Sequence, residues 1–334
     1  MLKAAYIVHD ELKNTTADDV KKLDVINIAF AHCRDSAFYF EHEESLCHLS
    51  HFRQTNPNIK ILISIGGWGS GGFSVMAREE STREKFAHSC LAAVKRYGLD
   101  GIDIDWEYPC LDWAGIDASP DDRTNYTKLL ETVRQVFDQH DKNLMLTIAV
   151  GNDSYFIENT EMDKVARVLN YISLMTYDMR GCGDTVTGHH TNLLKPNGTL
   201  PRMHRSVEHS VKIYHEAGVP FEKLVIGIAF YSRMWKNVES RENNGLYQKA
   251  APGDYGPSFS EIKEKYLEKN GFKRYYDDIA KAPYLFNGSV FISYDDEVSV
   301  KEKCRYVKAN NLLGVMYWEH SCDKSRTLLA AIED

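Results

Sequence analysis

The sequence predicts an α/β fold: a (β/α)8 TIM barrel with a small α+β insertion between its seventh and eighth strands. Three observations predict it. Eight short apolar runs rich in β-branched residues recur along the 334 residues. Amphipathic stretches at helical spacing separate them. The last interval, about 85 residues long, far exceeds what one helix and its loops require.

The runs fall at 2–8, 25–31, 59–65, 101–106, 145–150, 171–176, 224–229 and 314–317. Most are continuously apolar rather than alternating, as expected of parallel strands covered on both faces. Between the third and fourth, Phe86, Cys90, Ala93, Val94 and Tyr97 share one helical face, with Ser81 as the expected N-cap. After the fourth, Tyr126, Leu129, Leu130, Val133, Val136 and Phe137 repeat that spacing. A helix over 202–217 is closed by Gly218 and Pro220. In the long interval, Pro252, Gly253, Gly256 and Pro257 mark turns, 259–269 reads as a helix, and 297–310 supplies the helix before the last strand. The expected division is a barrel domain over 1–234 and 295–334, interrupted by an insertion over 235–294. An open doubly wound sheet is the alternative to the barrel.

Composition narrows the partners. A net charge of −8 argues against nucleic acid and against an anionic membrane surface. The apolar run at 2–8 is too short to span a bilayer and is not an export signal. A start at Met1 would then imply a cytoplasmic protein. The seven cysteines are scattered without a CxxC pair, so neither a cysteine zinc site nor a disulfide framework is expected. Most of them are expected to be buried thiols. Nineteen tyrosines and five tryptophans offer rings on which sugars stack.

The segment carrying the chemistry is Asp100-Gly101-Ile102-Asp103-Ile104-Asp105-Trp106-Glu107-Tyr108-Pro109. Alternation along a strand puts Asp103, Asp105 and Glu107 on one face and Ile102, Ile104 and Trp106 on the other. In a barrel the acidic face points inward and Glu107 reaches the C-terminal rim, where barrels of this class place their chemistry. Three stacked carboxylates cannot all stay ionised in such an interior, so their pKa values must separate. A solvated acidic edge is excluded by the apolar alternate positions, and a metal site lacks an accompanying histidine.

This segment resembles the signature of family 18 glycoside hydrolases, the chitinases and their relatives, and the resemblance runs from about Ala4 to Asp323. Ser64-Ile65-Gly66-Gly67-Trp68 is similar to the family's third-strand motif, and Met175-Thr176-Tyr177-Asp178 to its sixth. Tyr231-Ser232-Arg233 is similar to the seventh, with Ser for the usual Gly, and the run 314–319 to the eighth.

The resemblance implies Glu107 as acid and base, Asp105 and Tyr177 on the substrate acetamide, Asp103 sharing a proton with Asp105, and Asp178 holding the distorted sugar. It also implies Trp318 as the floor of the sugar pocket, with Tyr6, Phe30, Trp68, Tyr108, Met175, Tyr231 and Arg233 around it. The implied substrate is chitin or chito-oligosaccharides, cleaved with retention by a monomer that needs no cofactor or metal. Family analogy implies secretion. An endo-β-N-acetylglucosaminidase, a peptidoglycan hydrolase and a catalytically dead chitin-binding lectin are the alternatives. One departure stands out: Gly181-Cys182-Gly183 replaces the Gly-Pro-Trp of many relatives, removing one stacking ring. His189-His190 reads as a pair of loop histidines rather than metal ligands.

Overall fold

A computed structural model describes residues 1–198, 200 and 202–332. Eight parallel strands close into a barrel: Leu2–Val8, Val25–Arg34, Lys60–Gly66, Gly101–Asp105, Met145–Val150, Tyr171–Leu174, Leu224–Ala229 and Gly314–Trp318. Closure comes from the first strand, which pairs with both the second and the last. All eight predicted strands are therefore present, and the open sheet is set aside. The second strand outruns its apolar stretch because 32–34 turn back against a short antiparallel strand, Ala37–Tyr39.

Alternation holds on the fourth strand. Ile102 and Ile104 are fully buried under the helices, and Trp106 stacks on Phe73 with ring centroids 5.4 Å apart. The helix behind them, Glu80–Tyr97, starts earlier than expected, with Glu79 rather than Ser81 at its N-cap. Thr82 instead stabilises that entry, its Oγ1 donating to the Met76 and Glu79 carbonyls. The next helix, Asp122–His140, buries the six apolar positions read from the sequence. The helix expected over 202–217 is shorter, Val207–Glu216, because Ser206 caps it by accepting from His209 N. That over 259–269 is only Phe259–Glu261 followed by one wide turn, Ile262–Tyr266. The 297–310 helix spans Glu297–Ala309 behind an Asp296 capping box.

Between the seventh and eighth strands lies the α+β insertion. Its five-stranded antiparallel sheet runs in the spatial order Asp254–Ser258, Tyr231–Trp235, Phe291–Ser293, Ala282–Phe286 and Lys273–Asp277. This sheet takes up the chain at Tyr231, ahead of residue 235, with Phe230 the sole residue between it and the barrel strand. A separate apolar cluster of Trp235, Val238, Leu246, Tyr284, Phe286 and Phe291 forms its own core. All seven cysteines are free thiols, but only Cys90 and Cys304 are buried; Cys47 and Cys182 are exposed. Among the described residues, no helix is long and apolar enough to cross a membrane.

Candidate active site

Strand register builds the site from its base. Asp103 lies level with Ser64 on one side and Thr147 on the other. Ser64 Oγ and Tyr6 Oη donate to Asp103 Oδ2 at 2.7 and 2.9 Å, and Thr147 Oγ1 donates to Oδ1 at 2.6 Å. Full burial pushes the Asp103 carboxyl up, and these three hydroxyls oppose the shift. Asp103 thus sits beneath the cleft with both oxygens engaged by hydroxyls.

One level higher, Asp105 is held well above the ordinary carboxylate range, first by burial and then by the charges of Glu107 and Asp103. Its Oδ1 is buried with no hydrogen-bond partner. The neighbouring position on the third strand is Gly66, whose missing Cβ lets the Asp105 backbone pack directly against it: a Cβ there would run into the Asp105 carbonyl oxygen. A Cβ on Gly67, whose φ is +88°, would lie 2.8 Å from the Phe30 ring, so only glycine lets the chain turn there.

Glu107 lies half-buried at the rim, its pKa pushed up to about 7 chiefly by burial. The facing Tyr108 hydroxyl opposes that shift and the charge of Asp178 adds to it. The Glu107-Tyr108 peptide is cis, as are Ala29-Phe30 and Trp318-Glu319.

Opposite stands the sixth-strand segment. Asn152 Nδ2 donates to the carbonyls of Met175 and Tyr177 at 3.1 and 2.6 Å, fixing the backbone that aims both side chains inward. The Tyr177 hydroxyl is kept neutral, its pKa raised by burial and then by Asp105 and Glu107. It points at Met316 Sδ, 3.9 Å away. Asp178 opens onto the cleft, with its side chain 39% exposed. Burial pushes its carboxyl up, but His190 and the Arg233 guanidinium outweigh that and hold it below the usual range. Of these two, Arg233 makes the true hydrogen bond, Nε to Oδ1 at 2.6 Å; His190 Nδ1 stands off at 3.6 Å. Arg233 also lies over Tyr255, 3.8 Å from the ring centre. Gly181 makes room for it, since a Cβ there would sit 2.9 Å from Arg233 Cδ.

These groups line a cleft of about 390 Å³ at the C-terminal end of the strands. Trp318 lies in it, stacked on Phe30 at 5.3 Å and tilted against Tyr6 at 6.0 Å. Trp68 stands 60% exposed at the rim beside Tyr108. Every site residue named from the sequence lines this cleft, apart from Asp103 directly below it.

Sequence reasoning missed Trp113, Tyr155, Tyr255, Arg202 and Arg205, which line it as well. Trp113 and Tyr155 pack together at 4.9 Å and both meet Tyr108 edge-on. They furnish aromatic surface in the cleft that also holds Gly181 and Cys182, yet they come from a single helical turn and a five-residue helix with no motif to flag them. His189 and His190 lie in a loop, as read from the sequence, and both are buried. His189 Nε2 pairs with Asp277 at 3.0 Å, and His190 packs on Tyr231.

A half-buried acid near neutrality, set above stacked carboxylates in an aromatic cleft on a (β/α)8 barrel, defines a carbohydrate-cleaving barrel enzyme. The chain belongs to Glycosyl hydrolases family 18, whose sequence model matches residues 3–323. It is 38% identical over 302 residues to Chitinase A1 of Niallia circulans, covering 84% of this chain and 43% of that protein. To Chitotriosidase-1 of Mus musculus it is 30% identical over 299 residues, covering 83% and 62%. The chain thus spans about half the length of these curated relatives. Among solved structures, a family 18 N-acetylglucosaminidase from Paenibacillus barengoltzii superposes with a TM-score of 0.96 at 49% identity, covering 99% of this chain and 98% of that one. A class V chitinase from Nicotiana tobaccum in complex with NAG4 superposes at 0.88 and 27% identity, covering 99% and 97%.

Proposed function

We propose that the protein hydrolyses β-1,4 bonds between N-acetylglucosamine units of chitin or chito-oligosaccharides, with retention and with the substrate's own acetamide as nucleophile. The observation that carries this reading is the pairing of Glu107, raised to about 7 at the rim, with the unpartnered Asp105 Oδ1 below it. Glu107 protonates the glycosidic oxygen. The acetamido carbonyl oxygen attacks the anomeric carbon from the opposite face, and an oxazolinium ion forms. Water then opens the ion with Glu107 as base.

Asp105 Oδ1 is the free acceptor for the acetamido N–H, and the neutral Tyr177 hydroxyl is a donor for the acetamido oxygen. Asp103, held by three hydroxyls, fixes the charge beneath Asp105. Asp178, anchored by Arg233, holds the ring hydroxyls of the distorted sugar over Trp318. Trp68 and Tyr108 stack sugars beyond the cleaved bond. Holding the acetamide in line is a proximity effect on the order of 7 kcal/mol.

The insertion, read as a unit near 235–294 beside a barrel domain over 1–234 and 295–334, contributes Tyr255 to one wall. A second reading, removal of single N-acetylglucosamine units, is favoured by the likeness to the Paenibacillus barengoltzii N-acetylglucosaminidase.

Product analysis on a chitin hexamer tests both. Dimers and trimers support internal cleavage, and a monomer with a pentamer supports the second reading. An untouched hexamer, alongside a cleaved glycan lacking acetamides, overturns the substrate-assisted mechanism.

A further inference from the structure

Asp153, His204 and His209 converge outside the carboxylate stack, and nothing in the proposed mechanism uses them. Asp153 follows the fifth strand and caps the short helix Ser154–Glu158. His209 lies in the first turn of the helix Val207–Glu216, and His204 just precedes the Ser206 cap. His204 Nε2 is 3.2 Å from Asp153 Oδ2, His209 Nε2 is 3.5 Å from Oδ1, and all three candidate donor atoms lie within 4.8 Å of one another.

Metal–ligand bonds of about 2.1 Å at a tetrahedral centre set ligand atoms roughly 3.4 Å apart. The two Asp–His separations straddle that value. The longer one exceeds hydrogen-bond length, so an ion pair accounts for His204 better than for His209. The two rings are 4.9 Å apart and nearly perpendicular, at 76°, so their ring nitrogens approach the carboxylate from different sides rather than stacking. Asp153 is buried, while His204 and His209 are 46% and 27% exposed, leaving an approach from solvent.

We propose that Asp153, His204 and His209 form a binding site for one divalent transition metal ion of the zinc class, with water completing its coordination. Two imidazoles and one carboxylate select zinc, nickel, cobalt or copper over magnesium and calcium, which prefer all-oxygen sites. Arg205 Nε already donates to Asp153 Oδ2 at 2.6 Å. The guanidinium competes for that carboxylate, so affinity falls short of a dedicated structural zinc site. A bound ion would staple the loop after the fifth strand to the segment that carries Arg202 and Arg205 into the cleft.

Chelator-treated full-length protein is titrated calorimetrically with zinc chloride, and cobalt(II) spectra report the ligands. The expected result is one equivalent bound, with a raised thermal midpoint and visible cobalt bands. His204→Ala and His209→Ala should each weaken binding about tenfold or more, and magnesium should not bind. His204 is exposed enough for its variant to keep the fold, which the thermal midpoint in chelator checks. Equal zinc affinity in the wild type and both variants, or no zinc binding by the wild type, overturns the proposal.

Discussion

Glu107→Gln should remove turnover at every pH and stabilise the protein increasingly as pH rises from 4.5 through 7. Its carboxyl is raised from 4.5 to about 7, chiefly by burial. A raised carboxyl means that the folded state prefers the protonated form. Stability is therefore intact below pH 4.5 and is lost as pH climbs through 7. The difference corresponds to about 3 kcal/mol as an upper bound, and to about 2 kcal/mol once solvent screening at the cleft mouth is allowed for. Glutamine mimics the neutral acid and recovers that energy. An unfolding entropy of about 2.1 cal/mol/K per residue gives roughly 0.7 kcal/mol/K for a chain of this size, so the thermal midpoint should rise by about 3 °C at pH 8. At pH 4, where both side chains are neutral, the gain should vanish. Turnover should fall by the 10²–10⁴ typical of a general acid, or more because the same group serves both steps. Calorimetric unfolding of both proteins at pH 4, 6 and 8, beside hydrolysis of a chito-oligosaccharide, makes the comparison. A midpoint unchanged or lowered at pH 8, or a gain of equal size at pH 4, would refute the assignment of a burial-raised acid at this position.

The pH profile of wild-type kcat/KM should show an alkaline limb near 7, where Glu107 loses its proton; a flat profile to pH 9 points to another acid. Trp68→Ala should leave the thermal midpoint within about 1 °C, because the ring is 60% exposed, yet raise KM for long oligosaccharides more than for the dimer. Lys303→Met should cost about 3–5 kcal/mol in chemical denaturation, since it strands Asp295 without the buried ammonium 2.6 Å away.

The strands and the carboxylate stack were legible in the sequence because both obey short periods. Apolar runs announce buried parallel strands, and acids at alternate positions announce a shared face. Neighbouring hydroxyls were harder to read. Ser64 sits within a glycine-rich motif and Thr147 within an apolar run, and their meeting on Asp103 depends on barrel register. Trp113 and Tyr155 reach the cleft from helical pieces of three and five residues, and Arg205 from an irregular segment, all too short to show a period. Helix starts were misplaced where another residue took the cap: Glu79 stands in place of Ser81, and Ser206 starts the helix Val207–Glu216 later than residue 202. Asp153 and the two histidines lie about 50 residues apart in sequence, beyond any spacing rule for metal ligands.

Tyr231–Trp235 continues the seventh barrel strand almost without interruption, and the Phe230 amide donates to the Trp318 carbonyl across that junction. Anyone exchanging the second sheet with that of a relative must therefore place the cut upstream of Tyr231. A seam at 235 would keep the host's Tyr231 and Arg233 while importing foreign partners for them. Asp178 would keep its guanidinium, but that guanidinium would lose the Tyr255 ring it lies over. The anchor of Asp178 and the opening strand of the second sheet are inherited on the same stretch of backbone, and transplanting one transfers the other.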